Sequence, residues 1–112
     1  MKIFKSEADG VTVLALKGKI TIGSGDVALR ASINKSVSDG QKTLLVDLGG
    51  VSKMDSSGLG ELVAAHNTVT EAGGAIKLAN IPSKLYNVMG VAQIISVFDV
   101  FDDVDEGLGS FK

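Results

Sequence analysis

Apolar and polar positions along the chain change period several times, and each change marks an element. "VTVLALKG" (11–18) has the composition of a strand and stops at Gly18. In "GSGDVALRASINKSVSDG" (23–40), Leu29, Ile33 and Val37 recur every four residues, with Val27 and Ala31 on the flank. That is one apolar helical face, opened by capping residues and closed by Asp39-Gly40. "TLLVDL" (43–48) is a continuous apolar run, the signature of a strand covered on both faces. It is expected to give way to a loop, "GGVSKMDSSG" (49–58).

Leu59, Leu62, Val63 and Val69 then share a helical face that Gly73-Gly74 terminates. "AIKLAN" (75–80) reads as the next strand, and Pro82 as the first residue of a short helix through Leu85, Val88 and Met89. "VFDVF" (97–101) is expected to be the last strand. The acidic residues of "DDVDEGL" (102–108) suit the first turn of a terminal helix. A further strand is expected near residues 2–6. Strands alternating with helices predict an α/β domain with a mostly parallel sheet and right-handed crossovers. In such sheets, function gathers in loops beyond the strand C-terminal ends. Two loops stand out, "KITIGSGD" (19–26) and "GGVSKMDSSG" (49–58), and both lead into helix starts.

Composition narrows the picture. A chain of 112 residues with 45% apolar content is expected to form one domain, 1–112, hiding roughly two-thirds of its unfolded surface. Eleven basic against 13 acidic residues give a net charge of −2, which argues against a nucleic-acid binder. Four Phe, one Tyr and no Trp offer no stacking platform for bases. Cysteine is absent, which excludes disulfides and thiolate metal sites. The N-terminus, "MKIFKSEADG", lacks the apolar core of a signal peptide. The apolar stretch "VMGVAQIISVF" (88–98) is too short to span a bilayer and is interrupted by Gly90, Gln93 and Ser96. A cytoplasmic protein with no membrane partner is expected.

The paired serines of "KMDSSGLGELV" (53–63) raise the main chemical question. A serine at a helix start caps exposed backbone N–H groups, contributing about 1 kcal/mol. That reading accounts for Ser56 or Ser57, but not for both, nor for Asp55. A nucleophile needs a base, and the one histidine, His66, lies ten residues on, about 15 Å along a helix. The glycine two residues before the serine that a nucleophile elbow requires is also missing, so a hydrolase is excluded. His66 is expected to be a packed residue at the core edge. The "GSGD" loop (23–26) lacks the lysine and spacing of a phosphate-binding loop, and Asp26 would repel phosphate. Scattered carboxylates do not form a metal site, and the cluster Asp99, Asp102, Asp103, Asp105 and Glu106 lacks calcium-loop spacing. No cofactor or metal is expected. The remaining option is modification by another protein. Phosphate on a serine at a helix start is tolerated by the helix dipole, yet places about two negative charges on the surface.

"VDLGGVSKMDSSGLGELV" (46–63) closely resembles the signature of STAS domains in bacterial anti-sigma factor antagonists. "LKGKIT" (16–21), "GGAIKLAN" (73–80) and "VFDVFDDVDEGL" (97–108) fit the same pattern, so the resemblance spans the chain. It implies a small α/β domain with a four- to five-stranded mixed sheet and about four helices packed mainly on one face. It also implies a regulator without enzymatic activity. The unphosphorylated antagonist would bind an anti-sigma factor that is a serine kinase of the histidine-kinase-like ATPase type, freeing a sigma factor. Phosphorylation would end the complex until a phosphatase resets it. By the resemblance Ser56 matches the phosphorylated position, with Ser57 as the alternative, and Asp55 orients the loop or the serine. The partner surface would combine Gly23, Ser24, Gly25 and Asp26 with Met54, Asp55, Ser56, Ser57 and Gly58. Met54 would contribute as an apolar contact if exposed; by residue type a buried Met54 is equally compatible. A monomer is expected. The other reading is a constitutive scaffold docking on a transporter ATPase or a signalling assembly, with the serines acting only as caps.

Overall fold

The computed structural model describes residues 1–91 and 96–112. Its order is β1 (Lys2–Ala8), β2 (Val11–Ile20), α1 (Gly25–Ser38), β3 (Thr43–Met54), α2 (Ser56–Glu71), β4 (Ala75–Ala79), α3 (Ser83–Val91), β5 (Val100–Phe101) and α4 (Val104–Gly109). The sheet order is β1-β2-β3-β4-β5, with β1 antiparallel to β2 and the remaining pairs parallel. Asp9 and Gly10 both have positive φ, as the two-residue hairpin joining β1 to β2 requires. From β2 onward the order advances in one direction, so right-handed crossovers bring α1, α2 and α3 to the same face of the sheet.

The main core lies between that face and those helices. Leu14, Leu16 and Ile20 from β2, Leu44, Val46 and Leu48 from β3, and Leu78 from β4 meet Leu29, Ile33, Leu62, Val69 and Met89 from the helices. A smaller cluster on the opposite face, Val11, Leu45 and Ala79, is covered by Val104 and Leu108 of α4 and by Phe101 and Phe111. Residues 44 to 46 of β3 therefore feed both faces, which is why that segment reads as an unbroken apolar run. Three helices on one face and one on the other match the expected mixed α/β domain.

Three expectations change in detail. β3 does not end at Leu48 but continues to Met54, so residues 49 to 54 are strand rather than loop. Beyond Leu48 the apolar run is lost, and β-bulge irregularities against β2 break the alternation a sequence reading looks for. Gly50 makes the extension fit, because a Cβ there would lie 2.8 Å from the Leu16 carbonyl oxygen. In α1, Val27 is 54% exposed and Ala31 is exposed, so neither joins the core. The buried stripe runs instead through Gly25, Asp26, Leu29, Ile33 and Ser36. β5 covers only Val100 and Phe101; Phe98 enters the core and stacks edge-on against His66, with ring centroids 5.3 Å apart. Part of the apolar stretch 88–98, Gln93 included, lies outside the described residues. Among the described residues no helix is long and apolar enough to cross a membrane.

Candidate functional site

β2 and β3 run parallel and finish side by side, with Ile20 opposite Met54. Each strand feeds a helix within a few residues, so the starts of α1 and α2 sit together beyond the same sheet end. Two glycines allow this close approach. A Cβ on Gly25 would meet the Lys19 carbonyl oxygen at 2.1 Å, and one on Gly58 would meet the Ile20 carbonyl oxygen at 2.2 Å. Both helix starts thus press on the last residues of β2, where only glycine fits.

Asp55 joins the two. It is the N-cap of α2, with an extended backbone, and its Oδ1 accepts a hydrogen bond from the Gly58 N–H at 3.0 Å. Its Oδ2 accepts from the Ile22 N–H, also at 3.0 Å, in the loop before α1. The Asp55 N–H in turn donates to the Ile20 carbonyl at 3.4 Å. One carboxylate therefore satisfies a bare N–H of α2 and fastens the neighbouring loop. The Gly58 N–H, then the Ile22 N–H, hold the Asp55 carboxyl below its ordinary value of 3.8 against an opposing desolvation cost. The role expected for Asp55, orienting the loop, has a direct geometric basis.

The cap is Asp55 and not a serine, contrary to the simple reading of the sequence. Ser56 and Ser57 occupy the first turn of α2, where Ser56 is exposed and Ser57 half-buried. Neither hydroxyl takes part in the described side-chain hydrogen bonds. His66 is engaged with Phe98 further along α2. Among the described residues no cluster of three or more His, Cys, Asp or Glu could hold a metal ion.

The start of α1 is built differently. Ser24 stands at the N-cap but its side chain makes no capping bond. Asp26 is 9% exposed; its N–H donates to the Thr21 carbonyl at 3.2 Å, and its Oδ1 accepts from the Val27 N–H at 2.8 Å. That carboxylate already occupies a donor an anion would need, consistent with the weak case for phosphate binding at "GSGD". Gly23 has φ +90 and, like Ser24, is exposed.

The structure gathers Gly23, Ser24, Asp55, Ser56 and Ser57 on one surface, while Gly25, Asp26, Met54 and Gly58 lie buried beneath it. Met54 is 7% exposed and faces the core, where its Cγ would lie 2.8 Å from a Cβ on Gly58. Its place is support rather than contact. Two residues went unassigned to the site: Ile22, 74% exposed, and Val27. Both are apolar, and they flank or enter the loop that Asp55 fastens. The sequence signal was an isoleucine in an otherwise polar turn; Val27 was hidden by its helical spacing to Ala31. Across the back of the site, Arg30 of α1 grips Glu61 of α2, its Nε donating to Oε1 and Oε2 at 3.1 and 3.2 Å and its Nη2 to Oε1. Beneath this bridge is a cavity of about 140 Å³ between the helices, walled by Ile33, Asn34, Ala65 and Thr68.

Comparison with known proteins agrees with this architecture. The family model described as STAS domain matches residues 2–107. BtrV of Bordetella bronchiseptica, named as a candidate anti-sigma factor antagonist, is 21% identical over 112 residues, covering 100% of this chain and 96% of that protein. A crystal structure of an anti-sigma factor antagonist from Mycobacterium paratuberculosis superposes with a TM-score of 0.86 at 22% identity, covering 97% of this chain and 92% of that one. The Bacillus cell fate determinant SpoIIAA, solved in its phosphorylated form, gives a TM-score of 0.76 at 18% identity, with 99% and 100% covered.

Proposed function

The chain belongs to the STAS domain family, and on that premise we propose that it is an anti-sigma factor antagonist switched off by phosphorylation of Ser56. The observation behind this reading is the placement of Ser56: exposed, on the first turn of α2, directly after the aspartate that rigidly caps that helix. Ser57 is half-buried and is the less accessible hydroxyl. The names of BtrV and of the Mycobacterium paratuberculosis protein point to the same role.

In the unphosphorylated state the surface around Ser56 offers a small hydroxyl and the exposed side chains of Ile22 and Val27. A partner packs against this apolar rim. That partner is an anti-sigma factor with serine kinase activity of the histidine-kinase-like ATPase type, and its capture frees a sigma factor. The protein itself supplies no catalytic group; Ser56 is a substrate, and the kinase brings the base and ATP. Phosphate at the helix start leaves α2 intact, because bare N–H groups and the dipole favour negative charge there. The change falls on the interface: added bulk, desolvation and repulsion beside Asp55 expel the partner. A phosphatase restores the hydroxyl. The protein acts as a cytoplasmic monomer.

Affinity for a cognate anti-sigma kinase tests this reading. Ser56→Asp is expected to weaken binding at least about tenfold, whereas Ser56→Ala and Ser57→Ala retain it. Equal affinity of Ser56→Asp and the unmodified protein would overturn the switch and favour a constitutive scaffold.

A further inference from the structure

β3 is much longer than its neighbour β4, and the difference leaves its last residues without a strand partner on that side. β4 pairs with β3 only along 43–47, from Thr43 opposite Ala75 to Asp47 opposite Ala79. β3 then runs on to Met54, paired on its other side with β2 as far as Ile20. Past Ala79 the chain leaves the sheet at Asn80, whose backbone has φ +61. The Asn80 N–H donates to the Phe101 carbonyl at 3.0 Å, and its Nδ2 donates to Asp47 Oδ1 at 3.2 Å, fixing that exit. The first part of the edge is closed: the Gly49 N–H donates to Asp47 Oδ1 at 2.9 Å, and a Cβ on Gly49 would meet Asn80 Nδ2 at 2.2 Å. Among the described residues no strand takes up the place β4 vacates beside 50–54.

α3, on the sheet face it shares with α1 and α2, passes near the end of β3, and between helix and strand is a groove of about 300 Å³. Its described lining is Ser52, Lys53 and Met54 from the strand and Lys84, Leu85 and Val88 from the helix. Leu85 and Met54 are buried and form an apolar floor, while Val88 is 43% exposed and forms a wall. The described lining includes two lysines, both exposed, and no carboxylate, in a chain whose net charge is −2. The groove thus reverses the sign of the molecule locally.

We propose that this groove receives an extended acidic segment of a partner protein, which adds to the sheet as a strand along residues 50–54 of β3. An exposed strand edge offers alternate backbone N–H and C=O groups that only another extended main chain can match in register. The apolar floor accepts one side-chain row of such a segment, and Lys53 and Lys84 select carboxylates over ammonium groups. This inference depends on the sheet topology and not on the phosphorylation of Ser56.

The test is a titration of the isotope-labelled full chain, followed by amide NMR, with a terminally blocked peptide of alternating glutamate and valine. Saturable shifts are expected at the amides of 50–54 and 84–88, with a Kd on the order of 0.1–1 mM for so short a peptide. The same peptide with lysine for glutamate, and the Lys53→Glu/Lys84→Glu variant with the original peptide, are each expected to bind at least about tenfold more weakly. A peptide N-methylated at alternate amides is expected to lose binding, because it lacks the donors for strand pairing. Unchanged amide positions in α1 and α2 of the variant establish that it is folded. Absence of saturable shifts at 50–54 overturns the proposal and leaves Lys53 as a guard against edge aggregation. Undiminished binding of the N-methylated or the lysine peptide also overturns it.

Discussion

The starts of α1 and α2 emerge from neighbouring parallel strands and both press on Ile20 at the end of β2, yet they are held by different means. α2 has a side-chain cap, Asp55, whose second oxygen reaches across to Ile22. α1 has Ser24 at the corresponding position with no capping bond, and relies on a buried Asp26 and backbone contacts. One start is fastened at its tip and presents serines; the other borrows its anchorage from the first.

The largest effects are expected from the glycines both starts share. Gly25→Ala and Gly58→Ala each force a Cβ against a backbone carbonyl, at 2.1 and 2.2 Å, and are expected to cost about 1–3 kcal/mol or more in urea unfolding. Gly60, two residues further into α2, has open space around it, so Gly60→Ala is expected to stabilise by about 0.5–1 kcal/mol. Opposite signs at positions two residues apart would show that packing on Ile20, and not helix propensity, governs this turn.

Removing the caps separates the two starts more finely. Asp55→Ala is expected to lower the melting temperature and to speed amide hydrogen exchange at both Gly58 and Ile22, since both N–H groups lose their acceptor. Ser24→Ala is expected to change neither measurably. If Ile22 stayed protected in Asp55→Ala, the idea that α1 borrows its anchorage from α2 would fail.

Acid gives a smaller version of the same contrast. The folded state holds the Asp55 carboxyl below its ordinary value of 3.8, so its contribution is fully present above that pH. It is lost as pH falls below 3.8 through the folded value, and being exposed it is modest and screened. The difference in stability between the wild-type protein and Asp55→Ala is therefore expected to shrink below pH 3.8. A difference that persisted unchanged at lower pH would assign the Asp55 effect to something other than its charge. Smallest of all, Arg30→Ala is expected to shift stability within measurement error, because the Arg30 side chain of the Glu61 bridge is 60% exposed.

Much of this was legible in the chain itself, for identifiable reasons. Leu29 and Ile33 in α1, and Leu59, Leu62 and Val69 in α2, recur at helical spacing and are buried as that spacing predicts. The unbroken run Leu44, Leu45, Val46 announced a strand covered on two faces. The half of β3 beyond Leu48 escaped because its two glycines and its bulges against β2 resemble a loop in sequence. Of the site, Asp55, Ser56 and Ser57 could be read from their junction, but which of them caps the helix could not. A serine and an aspartate are equivalent candidates until the backbone shows whose oxygen meets the Gly58 N–H. Ile22 was invisible for another reason: its tie to Asp55 spans 33 positions along the chain. The Lys53–Lys84 groove likewise exists only once β3 outruns β4.

The central claim is tested most directly by intact mass of the protein before and after incubation with ATP and a cognate anti-sigma kinase, followed by fragment mapping. The account predicts one added phosphate, located on Ser56, with release of the bound kinase. Stable binding of the kinase with no phosphate transferred, or a phosphate at any residue other than Ser56, would contradict it.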